Sequence, residues 1–186
     1  MTSDEFIAAA LRNPANKIIV DELFHLALPD AWLVSGCLVQ TVWNVLTGRA
    51  VDHGIADYDV FYFDRDTSWE AEDSVIRRLD DIFRKLRVKV EARNQARVHI
   101  WFEPKFGEAY APLTHTGEAV GRFTTVAFAV GVRLMEDDRL KIVAPFGLED
   151  MFALRLRPNP TRATAGFART AANVTRRWPE LTVEGA

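Results

Sequence analysis

Asp57-Tyr58-Asp59-Val60-Phe61-Tyr62-Phe63 sets two acids around one aromatic residue and follows them with an unbroken apolar run. In an extended strand, residues i and i+2 share a face. Asp57 and Asp59 therefore stand together, their β-carbons roughly 6–7 Å apart. Tyr58, Val60 and Tyr62 point the other way, into packing. Two like charges so placed repel unless something positive joins them, and a hard divalent cation such as Mg²⁺ or Mn²⁺ suits two carboxylates. The alternative is a solvated strand start that happens to carry two aspartates, and Asp-x-Asp by itself does not separate the two.

Upstream, Ala31–Val34 reads as a short buried strand and Leu38–Leu46 as a helix, with Ser35-Gly36-Cys37 as the turn between them. Glycine removes the β-carbon from such a turn, so a ligand can approach the backbone. The helix that follows aims free N–H groups at the same space, which suits a phosphate. A purely conformational glycine is the competing reading. A phosphate bound on one element and a metal on the next would together describe a nucleoside triphosphate. Residues 47–56 are polar, hold two glycines and read as a loop.

Downstream, Val75, Ile76, Leu79, Ile82, Phe83 and Leu86 follow helical spacing within a helix over Trp69–Leu86. Val88–Ala92 alternates as a strand, with Lys89, Glu91 and Arg93 on one face. If this strand lies beside the one carrying Asp57 and Asp59, Glu91 joins the acidic pair; otherwise the three residues form a solvated stripe. Asn94-Gln95 reads as a turn and Arg97–Phe102 as the second strand of a hairpin. Residues 103–121 form a long connection, Thr124–Leu134 a strand, 136–139 a hairpin turn and Leu140–Ala144 its return. Gly147–Leu156 and Ala163–Arg177 are the closing helices. At the start, Thr2 or Ser3 caps one helix and Asn16 a second. This order implies an α/β fold of the α+β type over residues 1–186. N-terminal helices (1–30) precede a core with a mixed, mostly antiparallel sheet (31–145), and C-terminal helices follow (146–186).

Composition narrows the classes. A chain of 186 residues with 48% apolar and 26% charged residues is long enough for a substantial core. A net charge of −3 argues against a general nucleic-acid binder, though not against a small phosphorylated ligand. The single cysteine, Cys37, rules out an internal disulfide and fits a reducing, cytoplasmic setting. No run of 18 apolar residues suggests a membrane span, and the acidic start Met1-Thr2-Ser3-Asp4-Glu5 does not read as a signal peptide.

With these residues in place, the chain resembles the DNA-polymerase-β-like nucleotidyltransferase superfamily: a glycine turn, a helix, Asp-x-Asp on the next strand and one acid on a later strand. It is most similar to a bacterial nucleotidyltransferase-like family with no settled substrate. The likeness rests on Gly36-Cys37-Leu38-Val39-Gln40-Thr41-Val42-Trp43-Asn44, Asp57 to Asp64, and Arg93-Asn94-Gln95-Ala96-Arg97-Val98-His99-Ile100-Trp101. Further matches are Ala129–Leu134, Ala144–Phe152 and Arg157-Pro158-Asn159-Pro160. The resemblance implies metal-dependent transfer of a nucleoside monophosphate from an NTP to an acceptor that the sequence does not name. Asp57 and Asp59 would ligate Mg²⁺ or Mn²⁺, and Glu91 would activate the acceptor hydroxyl or hold a second metal. Ser35, Gly36 and Cys37 would contact the triphosphate. The chain departs from the usual pattern in Cys37, where Gly or Ser is the rule, and in the long 47–56 loop.

Other residues carry two readings. Asn44 either reaches the site or bonds a backbone group. Arg93 and Arg97 either bind phosphate or form a salt-bridged sheet face. Arg133 needs an acidic partner, such as Glu149 or Asp150. Two functions from different classes follow: an NTP-using transferase, or a binding or regulatory protein that keeps the fold without the chemistry.

Overall fold

The computed structural model describes residues 2–162 and 166–185. Helix α1 (Ser3–Ala10) opens on a capping box in which Thr2 and Glu5 satisfy each other's backbone N–H. Helix α2 (Pro14–His25) is capped by Asn13, with Pro14 in the first turn where its missing N–H costs nothing. The cap is thus three residues earlier than Asn16. Asn16 is instead buried inside the helix, where its amide donates to Ala10 O at 2.9 Å and to Thr41 Oγ1 at 3.2 Å.

Strand β1 (Trp32–Val34) leads directly into helix α3 (Gly36–Leu46), and strand β2 (Tyr58–Tyr62) follows the 47–56 loop. Helix α4 (Trp69–Phe83) crosses to strand β3 (Val90–Asn94). Helices α5 (Val98–Phe106) and α6 (Thr116–Val120) precede strands β4 (Gly131–Leu134) and β5 (Leu140–Val143). Helix α7 (Glu149–Phe152), strand β6 (Arg155–Leu156), helix α8 (Gly166–Thr175) and strand β7 (Thr182–Val183) complete the order. The main sheet runs β3-β2-β1-β4-β5. Only the β2–β3 pair in it is parallel, because α4 forms the crossover that a parallel pair requires.

The alternating sequence of β2 sorts its side chains between two faces. Tyr58, Val60 and Tyr62 are buried with Leu33 and Val132 in the main core. Helix α2 packs on β1 and β4, α1 on α3, and α4 on β3. On the opposite face, Trp32, Val34, Val120 and Ala129 form a second apolar cluster, with Phe61 and Phe123 against it. The register sets Val34 opposite Asp59 and Val60 beside Leu33. Asp59 therefore shares the face of the second cluster, at the end of the sheet where α3 begins.

Three segments differ from the reading of the sequence. Residues 98–106 are helix, not the return strand of a hairpin, and β3 is left as an edge. The β-prone stretch 124–130 leaves the sheet through a 3₁₀ turn at Val126–Phe128, and only Gly131–Leu134 pairs. A β-carbon at Gly131 would lie 3.1 Å from both Val34 Cγ1 and Val143 Cγ1, so pairing begins where the side chain vanishes. The helix expected over Gly147–Leu156 is a single turn, after which Arg155–Leu156 pairs with Thr182–Val183. The expected start of the last helix at Ala163 lies outside the described residues. Arg133 finds Asp30, at 2.8 Å, while Asp150 is taken by Arg155 and Arg157.

Candidate active site

The site follows from the β1–β2 register. Val34 pairs with Asp59 as the last rung of the ladder, and the chain then turns at Ser35 into Gly36, the first residue of α3. The start of α3 therefore lies against the acidic end of β2. Ser35 makes the corner with φ 61° and ψ −120°, a left-handed conformation that costs a non-glycine residue about 1–3 kcal/mol. It is held by its own N–H donating to Val130 O at 2.8 Å. Its carbonyl accepts from Leu38 and Val39, each at 3.1 Å. Its hydroxyl caps nothing. The N–H groups of Gly36 and Cys37 have no protein acceptor among the described residues, as the first turn of a helix leaves them.

Ser35, Gly36, Asp57 and Asp59 line one cleft of about 490 Å³. A β-carbon at Gly36 would meet only Gln40 Nε2, at 3.4 Å, which is nearly ordinary contact. Nothing in the protein itself demands glycine there. What the missing side chain provides is open space in the cleft, directly over unpaired N–H groups.

Neither Asp57 nor Asp59 accepts a hydrogen bond or ion pair among the described residues. Burial first, then the charges of Asp57 and Glu91, push Asp59 up to about 7. Glu91 is the direct cross-strand partner of Asp59 on β3, so the third acid lies beside the first two. Its carboxylate turns to Lys89 and, at 3.4 Å, to Arg93, and the Lys89 contact holds it below the ordinary glutamate range. As the side chains stand, no three His, Cys, Asp or Glu residues among those described form a metal cage. The donor set fits a different arrangement: two unpaired carboxylates, Asp59 in β2 and Asp57 just before it, with the remaining positions open. Mg²⁺ is commonly held in that way, by one or two carboxylates plus substrate phosphates.

Three of the residues singled out in the sequence do other work. Asn44 is fully buried; its amide donates to Val51 O at 3.2 Å and His53 O at 2.9 Å, and its carbonyl accepts from Trp178 Nε1 at 2.8 Å. It fastens the 47–56 loop and does not line the cleft. Arg97 pairs with buried Glu72 and covers the Trp69 ring, away from the cleft. The Cys37 side chain lies in the core, its thiol pushed well up, by burial above all and by Asp59 as well. Only its backbone N–H faces the turn, and it is no nucleophile.

The cleft also contains residues that the strand-by-strand reading did not find. Gln40, one turn beyond Gly36, keeps a buried Oε1 without a partner, and Thr125 keeps a buried Oγ1 likewise. Thr170, Asn173, Val174 and Arg177 form the far wall, and their i, i+3, i+4, i+7 spacing was a legible signal. Arg177 donates to Gly54 O and lies over the Trp178 ring at 4.9 Å. Burial pulls its affinity for the proton down while Asp57 opposes this, so a cation faces the acidic pair across the cleft.

A nucleotidyltransferase family model matches residues 21–183. The chain belongs to the nucleotidyltransferase family. Its fold is likewise that of a solved structure described as revealing a CCA-adding enzyme head domain. The TM-score is 0.80 at 24% identity, covering 100% of this chain and 97% of that one. Two structures of tRNA-processing enzymes align at TM-scores of 0.48 and 0.47, with 15% and 14% identity. Each alignment covers 90% of this chain but only 43% and 45% of those chains. A comparison with curated proteins finds no match. No helix among the described residues is long and apolar enough to cross a membrane.

Proposed function

We propose that this nucleotidyltransferase-family protein moves a nucleoside monophosphate from an NTP to an acceptor hydroxyl, with Mg²⁺ or Mn²⁺ held by Asp57 and Asp59. The carrying observation is the shared cleft of the α3 N-terminus and two unpartnered carboxylates. In this reading the N–H groups of Gly36 and Cys37 receive a phosphate at the positive end of the helix. Ser35 holds that turn in its strained form. Arg177 faces the developing charge from the opposite wall, and Gln40 and Thr125 offer their free oxygens to ligand hydroxyls or water. The bound cation would neutralise phosphate charge. The acceptor oxygen forms a bond to the α-phosphorus as the bond to the bridging oxygen breaks. Pyrophosphate leaves with that electron pair, and the hydroxyl proton passes to a carboxylate of the acidic cluster. Glu91 can serve there once it leaves Lys89. A cytoplasmic setting, where NTP and Mg²⁺ are abundant, accords with the free thiol of Cys37.

ATP with Mg²⁺ should raise the melting temperature well beyond what either does alone. Asp59→Asn should remove the effect while the variant remains folded. Equal stabilisation of wild type and variant would show the site to be misassigned. The Lys89–Glu91–Arg93 contact favours a second reading, a binding protein whose third acid is permanently neutralised. Incubation of labelled NTP with cell extract separates the two. Labelled product with wild type, and none with Asp57→Ala, excludes the binding-only reading.

A further inference from the structure

Beside the cleft lies a second and larger cavity, of about 670 Å³, within the roughly 300–1,000 Å³ range of small-ligand sites. Its position follows from the strands. Phe61 stands two residues beyond Asp59 on the same face, and Arg93 two beyond Glu91. One such step is about 7 Å. Phe123 and Thr124 line both spaces, so the two are adjacent. Phe61 and Phe123 stack at the boundary, with centroids 5.5 Å apart and planes within 6°.

Aromatic rings form much of the wall, with Trp101, Phe102 and Phe106 from α5 joined by Tyr110. Four arginines line the same space against one acid, Glu108. The chain as a whole carries −3, so this groove reverses the sign of the protein around it. Two of the arginines are already engaged: Arg162 with Glu108 at 3.1 Å, and Arg93 with Glu91. Arg122 covers the Tyr110 ring at 4.4 Å but has no carboxylate partner within salt-bridge distance among the described residues, and neither does Arg169. Arg162 lies over Phe102 and Tyr110, and Lys105 over Trp101 and Phe106, so a planar base would enter by displacing a cation or against ring edges, beside guanidinium groups that suit its phosphate.

We infer that this groove is the acceptor subsite and takes a nucleotide unit, its base against the aromatic wall, its phosphate at Arg122 and Arg169, and a ribose hydroxyl directed toward Asp57 and Asp59. The acceptor role rests on the transferase reading above; the binding does not. Calorimetric titration of the whole chain with AMP and with CMP, in metal-free buffer, tests it. At least one should bind, and adenosine and ribose 5-phosphate should each bind at least about tenfold more weakly. Arg122→Gln with Arg169→Gln should weaken the nucleotide by about tenfold or more. If the double variant does not fold, Arg169→Gln alone reads the same effect from an exposed position. A six-residue oligoadenylate that outcompetes AMP would support the subsite and identify a strand end as the source; one that does not would identify the free nucleotide. Failure of both AMP and CMP to bind overturns the inference, as does binding that the arginine variants leave intact. Nucleotide binding without any Mg²⁺–ATP stabilisation would defeat the transferase reading alone, and the reverse result would defeat the groove alone.

Discussion

Asp59 carries a cost that its neighbours define. Its proton is held to about 7 in the folded chain against an ordinary 3.8, through burial and the charges of Asp57 and Glu91. Below about pH 4 both states are protonated and the site costs nothing. As pH rises, the unfolded chain releases its proton first, so the native state loses stability until the folded carboxyl also ionises near 7. With screening by the open cleft, the loss is on the order of 1–3 kcal/mol. Urea midpoints in chelator should therefore show Asp59→Asn gaining on wild type between pH 4 and 7, and Mg²⁺ should shrink that gap. An unchanging difference would mean that the carboxyl is not strained. Gly36 makes the complementary case, since a β-carbon there meets no obstacle beyond Gln40 at 3.4 Å. Gly36→Ala should change stability by less than about 1 kcal/mol, in the direction of a better helix. It should nonetheless diminish the Mg²⁺–ATP thermal shift, because the added methyl fills the cleft.

Among the elements, β2 was legible because its period of two carries the whole reading: acids on one face, Tyr58, Val60 and Tyr62 on the other. Glu91 was legible as a candidate, since its strand alternates, but only the parallel register with β2 brings it to Asp59. Helix α5 was not legible. Val98-His99-Ile100-Trp101-Phe102 is β-prone, and the helix shows no single apolar stripe: Ile100 is 50% exposed, Phe106 48%, and Pro104 lies inside it. Its aromatic residues line a cavity instead of a core, so the cue that normally marks a helix is missing where the groove needs it missing. Asn44 and Arg97 could be read two ways from their types alone, and the partners that decide, Trp178 and Glu72, are remote in sequence. The same remoteness gives Asn44 its weight. Asn44→Ala would strand two loop carbonyls and the Trp178 indole, at a cost of about 2–4 kcal/mol. Denaturant titration should show that loss, together with faster amide exchange across residues 47–56.

Viewed as a whole, the cleft draws its walls from four distant parts of the chain: the 35–40 turn and helix, the acids at the start of β2, residues 123–128, and residues 170–177 at the end of α8 and just beyond it. Trp178 locks the last of these in place. Its ring is fully buried and meets Trp43 edge-on at 5.5 Å, while its N–H reaches Asn44 across 134 positions. Trp178→Ala should cost about 3–5 kcal/mol. It should also abolish Mg²⁺–ATP stabilisation even at temperatures where the variant remains folded, because Arg177 loses the ring on which it rests. This clasp has a consequence for biosynthesis. While a ribosome is still making the chain, β1 and β2 can pair around α3 once they emerge, but the corner at Ser35 stays open on one side. The far wall arrives more than a hundred residues later, so a nascent or prematurely terminated chain can fold its sheet and still lack a closed site. Under the transferase reading, competence to hold a triphosphate would then be among the last properties the polypeptide acquires.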